Sequence, residues 1–382
     1  MKTFYFFLFI TSFSLAQPFQ IGTLNVDFVD SSRNNRVVNT RIYYPANTAG
    51  NNVLVTTLTA EQFPVLTFGH GFLTAWSAYA NIWEAIVPQG YIMAFPTTEG
   101  GIAPSHIEFA RDLVFVNNTI KDLGTNPTSI FNTRVHPRSG VMGHSMGGGA
   151  AHIAATLSTN INALLSLSAA ITNPSPVSSS ASINIPTLLI AGTNDCVTVP
   201  QNTQIPIYNA ITNSPCKSFV SITGGSHCQM ANFNFNCNLG DSTCTPAPTI
   251  TREFQHQILN QFMSLWLDGF LKQICQSHLT FLQTMSQSPA ITFQNSCEPC
   301  ALSASSLMAD ELTIYPNPTA GEFVIDKITF QNITFFDLSG KNYELLSTEG
   351  GKINISQFSP GIYFIKITTI DNKTIIKKLI KK

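Results

Sequence analysis

Between residues 17 and 60, apolar and polar positions alternate with a period of two, through Thr23–Phe28 and Val37–Tyr44, with Asn and Thr at the turns. That period belongs to strands with one buried face, so antiparallel strands at a sheet edge are expected there. The pattern then changes. Short uninterrupted apolar runs follow one another: Pro64-Val-Leu-Thr-Phe-Gly, Tyr91-Ile-Met-Ala-Phe-Pro, Gly140-Val-Met-Gly, Ala163-Leu-Leu-Ser-Leu, Pro186-Thr-Leu-Leu-Ile-Ala-Gly and Ser218-Phe-Val-Ser-Ile. Runs of this kind suit strands buried on both faces of a parallel sheet. Between them lie stretches with helical character: Trp76–Val87, Ile107–Leu123 (apolar at Phe109, Leu113, Val116 and Ile120), Gly147–Leu157 and Arg252–Ile274. Alternation of strand and helix predicts an α/β body, spanning residues 17–275, with a mostly parallel central sheet.

Residues 276–310 are polar, with Ser286-Gln-Ser-Pro289 and Ser303-Ala-Ser-Ser306, and read as a linker. Residues 311–382 return to short strand patterns, among them Glu322-Phe-Val-Ile, Ile333-Thr-Phe-Phe-Asp and Ile362-Tyr-Phe-Ile-Lys-Ile. Turns fall at Gly321, Ser339-Gly340 and Pro360-Gly361. A small all-β sandwich is expected. Charge supports the division. Charged residues make up 11% of the chain, and 17 of its 41 Lys, Arg, Asp and Glu lie in the last 73 residues. A net charge of −1 provides no basic field for nucleic acid. The start, MKTFYFFLFITSFSLA, has Lys2, an apolar stretch from Phe4 to Ile10 and a small-x-small site at Ser14-Leu15-Ala16, the layout of a signal peptide over residues 1–16. That apolar stretch is shorter than a membrane span requires.

Export makes the eight cysteines candidate disulfides. Cys297-Glu-Pro-Cys300 has no second CxxC and no neighbouring His, so a metal site is not expected there. The stretch richest in chemistry is Gly143-His144-Ser145-Met146-Gly147-Gly148-Gly149, a G-x-S-x-G between an apolar strand and a helix. Ser145 is thereby a candidate nucleophile on a strained turn, and a serine at its ordinary pKa needs a base. Asp195 is the only carboxylate between Asp122 and Asp241 and ends an apolar strand. Of the histidines after Ser145, His152 falls inside the following helix, His256 in the long late helix and His278 near the linker. His227 follows a strand and the turn Gly224-Gly-Ser226. Asp195 and His227 are the expected partners of Ser145, with His144 a packing neighbour. Oxyanion donors are expected from the N–H groups of Met146 and of Phe72, in Phe68-Gly-His-Gly-Phe72. Cys196 adjoins Asp195 and Cys228 adjoins His227, so convergence of the three residues predicts a Cys196–Cys228 bridge; Cys237 and Cys244 could close a short loop.

Taken together, the 143–149 elbow, Gly71-Phe72, Asp195 and His227 resemble the cutinase and polyester-hydrolase branch of the α/β-hydrolases, which includes bacterial poly(ethylene terephthalate) hydrolases. Chlorophyllase-like and dienelactone-hydrolase-like esterases carry similar motifs. The resemblance covers about residues 20–275. It implies an α/β-hydrolase fold, an oxyanion hole at Met146 and Phe72, no cofactor, and a disulfide between the acid and histidine loops. In one respect the chain departs: the loop Ser168-Ala-Ala-Ile-Thr-Asn lacks the Trp usual in polyester hydrolases, leaving Ile171 with Phe72 as pocket walls. In the tail, Leu312-Thr-Ile-Tyr-Pro-Asn-Pro318, Phe336-Asp-Leu-Ser-Gly-Lys341 and Ser359-Pro-Gly-Ile-Tyr-Phe364 resemble the C-terminal sorting domain of the type IX secretion system. That implies export by this machinery through residues 311–382, with removal of the tail; an ordinary carbohydrate-binding sandwich is the alternative. The expected function is a secreted or cell-surface serine ester hydrolase, working as a monomer on an ester polymer or lipid. Alternatives are a lipase, chlorophyllase-like or acetylhydrolase-like esterase, a peptidase of the same fold, and a non-enzymatic adhesion protein.

Overall fold

The structure, a computed structural model, describes residues 19–300 and, within 313–382, all but 327–329, 338–340, 344–347, 350–351 and 370–373. The signal peptide assigned to residues 1–16 lies outside the described residues. The chain divides into two units, residues 1–300 and 301–382.

In chain order the larger unit holds strands β1 (Gln20–Asp30), β2 (Arg36–Ala46), β3 (Gly50–Asn51), β4 (Phe63–Gly69), β5 (Ile92–Pro96), β6 (Val135–His144), β7 (Ala163–Leu167), β8 (Thr187–Gly192), β9 (Lys217–Ile222) and β10 (Ile291–Asn295). Its helices are α1 (Ala80–Ile86), α2 (His106–Leu123), α3 (Met146–Leu157), α4 (Pro176–Ser180), α5 (Gln204–Ala210), α6 (Phe235–Asp241), α7 (Arg252–Phe270) and α8 (Cys275–Gln287). One ten-stranded sheet runs β10-β9-β8-β7-β6-β4-β5-β2-β1-β3. The six strands from β9 to β5 are parallel; β2 joins β5 antiparallel and β10 joins β9 antiparallel. Alternating residues explain the apolar runs. Leu66, Phe68, Met142, Leu165 and Leu167 pack with Trp83, Phe262 and Trp266 in one cluster, while Val141 and Leu164 pack with Phe109, Leu113 and Ile153 in another. Each parallel strand thus feeds a helix layer on both faces. No described helix is long and apolar enough to cross a membrane.

The expected linker is corrected by this architecture. Residues 275–287 form α8, whose Phe281 and Met285 are buried against the α7 side of the sheet, and residues 291–295 add the edge strand β10. Cys275–Cys300 and Cys216–Cys297 bond this stretch to the body. Its buried positions fall at helical spacing but are outnumbered by Ser, Thr and Gln, which hid the helix. The cysteine pairing also differs from expectation. Cys196 is bonded to Cys244 and Cys228 to Cys237, not Cys196 to Cys228 or Cys237 to Cys244. Helix α6, unplaced by the sequence reading, supplies Cys237 to the histidine loop, and the chain just after it supplies Cys244 to the acid loop. His278 has a ring nitrogen within 4.8 Å of the sulfurs of Cys216 and Cys297. Those sulfurs are joined in a disulfide and so are not thiolate ligands.

In the smaller unit, two four-stranded sheets share a core of Phe323, Phe335, Ile353, Phe358, Tyr363, Ile365 and Leu379. This is a β-sandwich arrangement.

Candidate active site

At the end of β6 the chain turns at Ser145 directly into α3. Ser145 has φ 55° and ψ −119°, a conformation that costs a non-glycine residue about 1–3 kcal/mol. Its amide donates to the Leu167 carbonyl and its carbonyl accepts from the Ala170 amide, each at 2.9 Å, pinning the bend to the end of β7. Close backbone approach dictates its neighbours. A Cβ on Gly147 would stand 2.0 Å from the Gly69 carbonyl oxygen, and one on Gly143 would stand 2.2 Å from the Gly147 carbonyl oxygen. Met146 is the first residue of α3, where a backbone N–H has no acceptor within the helix and the helix dipole is positive.

Asp195 lies just past the end of β8 and is buried. Its Oδ2 accepts from Nδ1 of the buried His227 at 2.9 Å, and its Oδ1 from the Thr198 amide at 2.7 Å. The Thr198 hydroxyl is 2.9 Å from Asp195 Oδ2, 3.0 Å from His227 Nδ1 and 3.1 Å from the Ser168 carbonyl. Burial by itself raises the Asp195 pKa. Attraction to His227, with hydrogen bonds from His227 and Thr198, outweighs burial, and the net shift is downward. An ionised acid holding Nδ1–H leaves His227 Nε2 as the nitrogen free to take a proton. Thr198 was missed by the sequence reading, although its place three residues after Asp195 is the spacing of a side-chain-capped turn.

His144, one residue before Ser145, is fully buried and packs on His227 with ring centroids 4.7 Å apart. Its Nε2 is 3.2 Å from the His227 carbonyl and its Nδ1 is 3.0 Å from the Tyr79 hydroxyl, which accepts from the Gly71 amide at 2.8 Å. A carbonyl only accepts, so Nε2 carries the proton and Tyr79 donates to Nδ1. Burial, with the charge of His227 adding to it, lowers the His144 pKa to about 3 and keeps the ring neutral. One buried chain of hydrogen bonds therefore runs from the Gly-Phe loop through Tyr79 and His144 to the backbone of His227. No sequence signal joins Tyr79 to His144, 65 residues apart.

The Ser145 hydroxyl makes no hydrogen bond to His227 among the described residues. Apo sites often leave this contact long until substrate binds. Phe72 and Ile171 are about half exposed, on the loops after β4 and β7. The other histidines that follow Ser145 have different surroundings. His152 bonds the hydroxyls of Ser180 and Ser166, His256 faces the Ala231 carbonyl, and His278 is buried in α8. Asp241, also missed, is buried and accepts from the Ser226 hydroxyl at 2.6 Å and the Cys228 amide at 3.0 Å, bracing the histidine loop on both sides.

A family model described as PET hydrolase-like matches residues 16–243, a span holding every one of these groups from Phe72 to Asp241. The chain belongs to the PET hydrolase-like family. Membership makes it a hydrolase and implies the α/β-hydrolase fold, with which the mostly parallel sheet agrees. Beyond the matched residues lie α7, α8 and β10. Residues 313–382 match the secretion system C-terminal sorting domain. The protein therefore carries a type IX sorting domain and is secreted or held at the cell surface. Among curated proteins the chain is similar to an endo-acting ulvan lyase of Formosa agariphila, 25% identical over 119 residues. These cover 30% of this chain and 23% of that protein, so the chain spans about a quarter of the relative's length.

Proposed function

We propose that the protein is a secreted serine carboxylic-ester hydrolase of the polyesterase type, with Ser145, His227 and Asp195 as its triad. The observation that carries this reading is the buried Asp195–His227 pair at 2.9 Å, with His227 packed on the ring of His144, the residue next to a serine held at φ 55° on a strand-to-helix bend. Ser145 Oγ attacks the ester carbonyl while His227 Nε2 takes its proton. The N–H groups of Phe72 and Met146 donate hydrogen bonds to the developing oxyanion, and Asp195 balances the imidazolium. Collapse releases the alcohol, which leaves with the proton from His227. Water, deprotonated by the same nitrogen, then attacks the acyl-enzyme and frees the acid. Phe72 and Ile171 line the acyl side. The sorting domain engages the type IX exporter, behind a leader at residues 1–16.

Turnover of a p-nitrophenyl ester tests the assignment. Ser145→Ala should lower kcat by about 10⁴-fold or more while the fold persists. Equal rates in both proteins would remove Ser145 from the mechanism. An inactive wild-type protein would favour an adhesive role. Faster turnover of long acylglycerols than of polyester film would make the enzyme a lipase.

A further inference from the structure

Phe233, Phe235 and Leu239 are 70%, 72% and 62% exposed. Phe235 and Leu239 stand four residues apart on α6 and share one face. A seven-residue helix has little stability of its own, and this one turns its large apolar side chains outward instead of into a core. It is held from behind. Cys228–Cys237 bonds it to the histidine loop, and Cys196–Cys244 bonds the chain just after it to the acid loop. Buried Asp241 accepts from Ser226 and Cys228. Gly240 sits against Val197, where a Cβ would be 3.3 Å from Val197 Cγ2. Asn236 Nδ2 donates to the Leu73 carbonyl at 3.1 Å, one residue from Phe72. This short segment is therefore fixed to the acid, histidine and oxyanion loops at once, while its own bulk faces solvent.

We propose that Phe233, Phe235 and Leu239 form a rigid docking face for a solid polyester surface, continuous with the loops of the ester site. The proposal deepens the hydrolase reading and rests on it for the chemistry. Two features choose this occupant. Residues 228–251 contain one charged residue, Asp241, and it is buried. The segment thus offers no exposed ionised group of its own to a phosphate, a charged headgroup or a nucleic acid, and it matches a neutral polymer. Cross-links to two separate loops also prevent α6 from swinging as a lid. A preformed apolar face loses little conformational entropy on meeting a flat solid.

Adsorption can be measured without turnover by placing Ser145→Ala in the full chain and following binding to poly(ethylene terephthalate) film on a quartz-crystal microbalance. Adding Phe235→Ser with Leu239→Ser should weaken adsorption by about tenfold, and Phe235→Trp should strengthen it by about threefold. Both side chains are exposed, so the fold persists; far-ultraviolet circular dichroism checks it. Leu58→Ser, at an exposed apolar residue on the loop before β4, should leave adsorption unchanged. Unchanged adsorption in the double variant, or an equal loss in Leu58→Ser, would overturn the docking face. So would binding of phosphatidylcholine vesicles as tightly as film. Because adsorption is read without catalysis, an α6-dependent film signal together with an esterase-inactive wild type would sink the hydrolase reading and leave the docking face standing.

Discussion

Tyr79 occupies an unusual place for a residue outside the reacting groups. Its hydroxyl accepts from Gly71 and donates to His144, and His144 in turn holds the His227 carbonyl. Removing that oxygen unties the Gly-Phe loop from the histidine loop without touching the serine. Tyr79→Phe should therefore lower kcat on a soluble ester by about tenfold with KM little changed, at a stability cost of about 1–3 kcal/mol for the stranded buried groups. Steady-state kinetics with a denaturant titration would measure both. An unchanged kcat would mean that the chain of bonds serves stability alone. Residue by residue, Ser145, Asp195 and His227 stood out as candidates because each is singled out locally: by an elbow motif, by being the sole acid in its interval, and by following a strand and a Gly turn. Tyr79 and Asp241 carry no such mark, and Thr198 only its place three residues after Asp195. Tyr79 meets His144 across 65 residues, and Thr198 meets His227 across 29, only once distant loops come together.

Among the elements, α8 and β10 were the ones misread. Their burial is real: Phe281 and Met285 sit in the main core, and β10 covers the edge of β9. A chain ending at residue 275 would expose that edge and leave Cys216 and Cys275 without their partners Cys297 and Cys300. Unpaired strand edges and free thiols favour association. Such a truncation is expected to aggregate on refolding, whereas a chain ending at Cys300 should stay monodisperse in size-exclusion chromatography. Comparable behaviour of the two would return 276–300 to the status of a linker. The parallel strands were legible because a strand buried on both faces must be apolar throughout. Helix α6 was not, since its large apolar residues are the exposed ones.

Across the whole molecule, pH should act through buried imidazoles. Burial lowers the pKa of His152 to about 3, and burial with the charge of His227 does the same to His144. In the unfolded chain both would bind a proton below about pH 6.5. Between these limits the unfolded state holds more protons, so stability falls as pH drops from about 6.5 towards 3. Asp195, with its pKa lowered, adds to the loss only below about pH 4, where the unfolded carboxyl protonates first. Urea midpoints measured from pH 7 to pH 4 should decline, and His152→Gln should flatten the decline. An unaltered slope in that variant would contradict the assignment. The division into a sparsely charged catalytic unit and a charge-rich sorting unit was visible in composition alone, because the two serve different partners.

By itself the sequence determined the α/β class and the export address, and it singled out Ser145, Asp195 and His227 as candidates for the chemistry. Those follow from local patterns: apolar periodicity, a glycine-flanked bend and residue order. Tertiary structure alone decided which cysteines pair, how far the catalytic unit extends and what braces the site. Those depend on loops that are distant in the chain and adjacent in space, and spacing along a chain does not encode which distant neighbour each will meet.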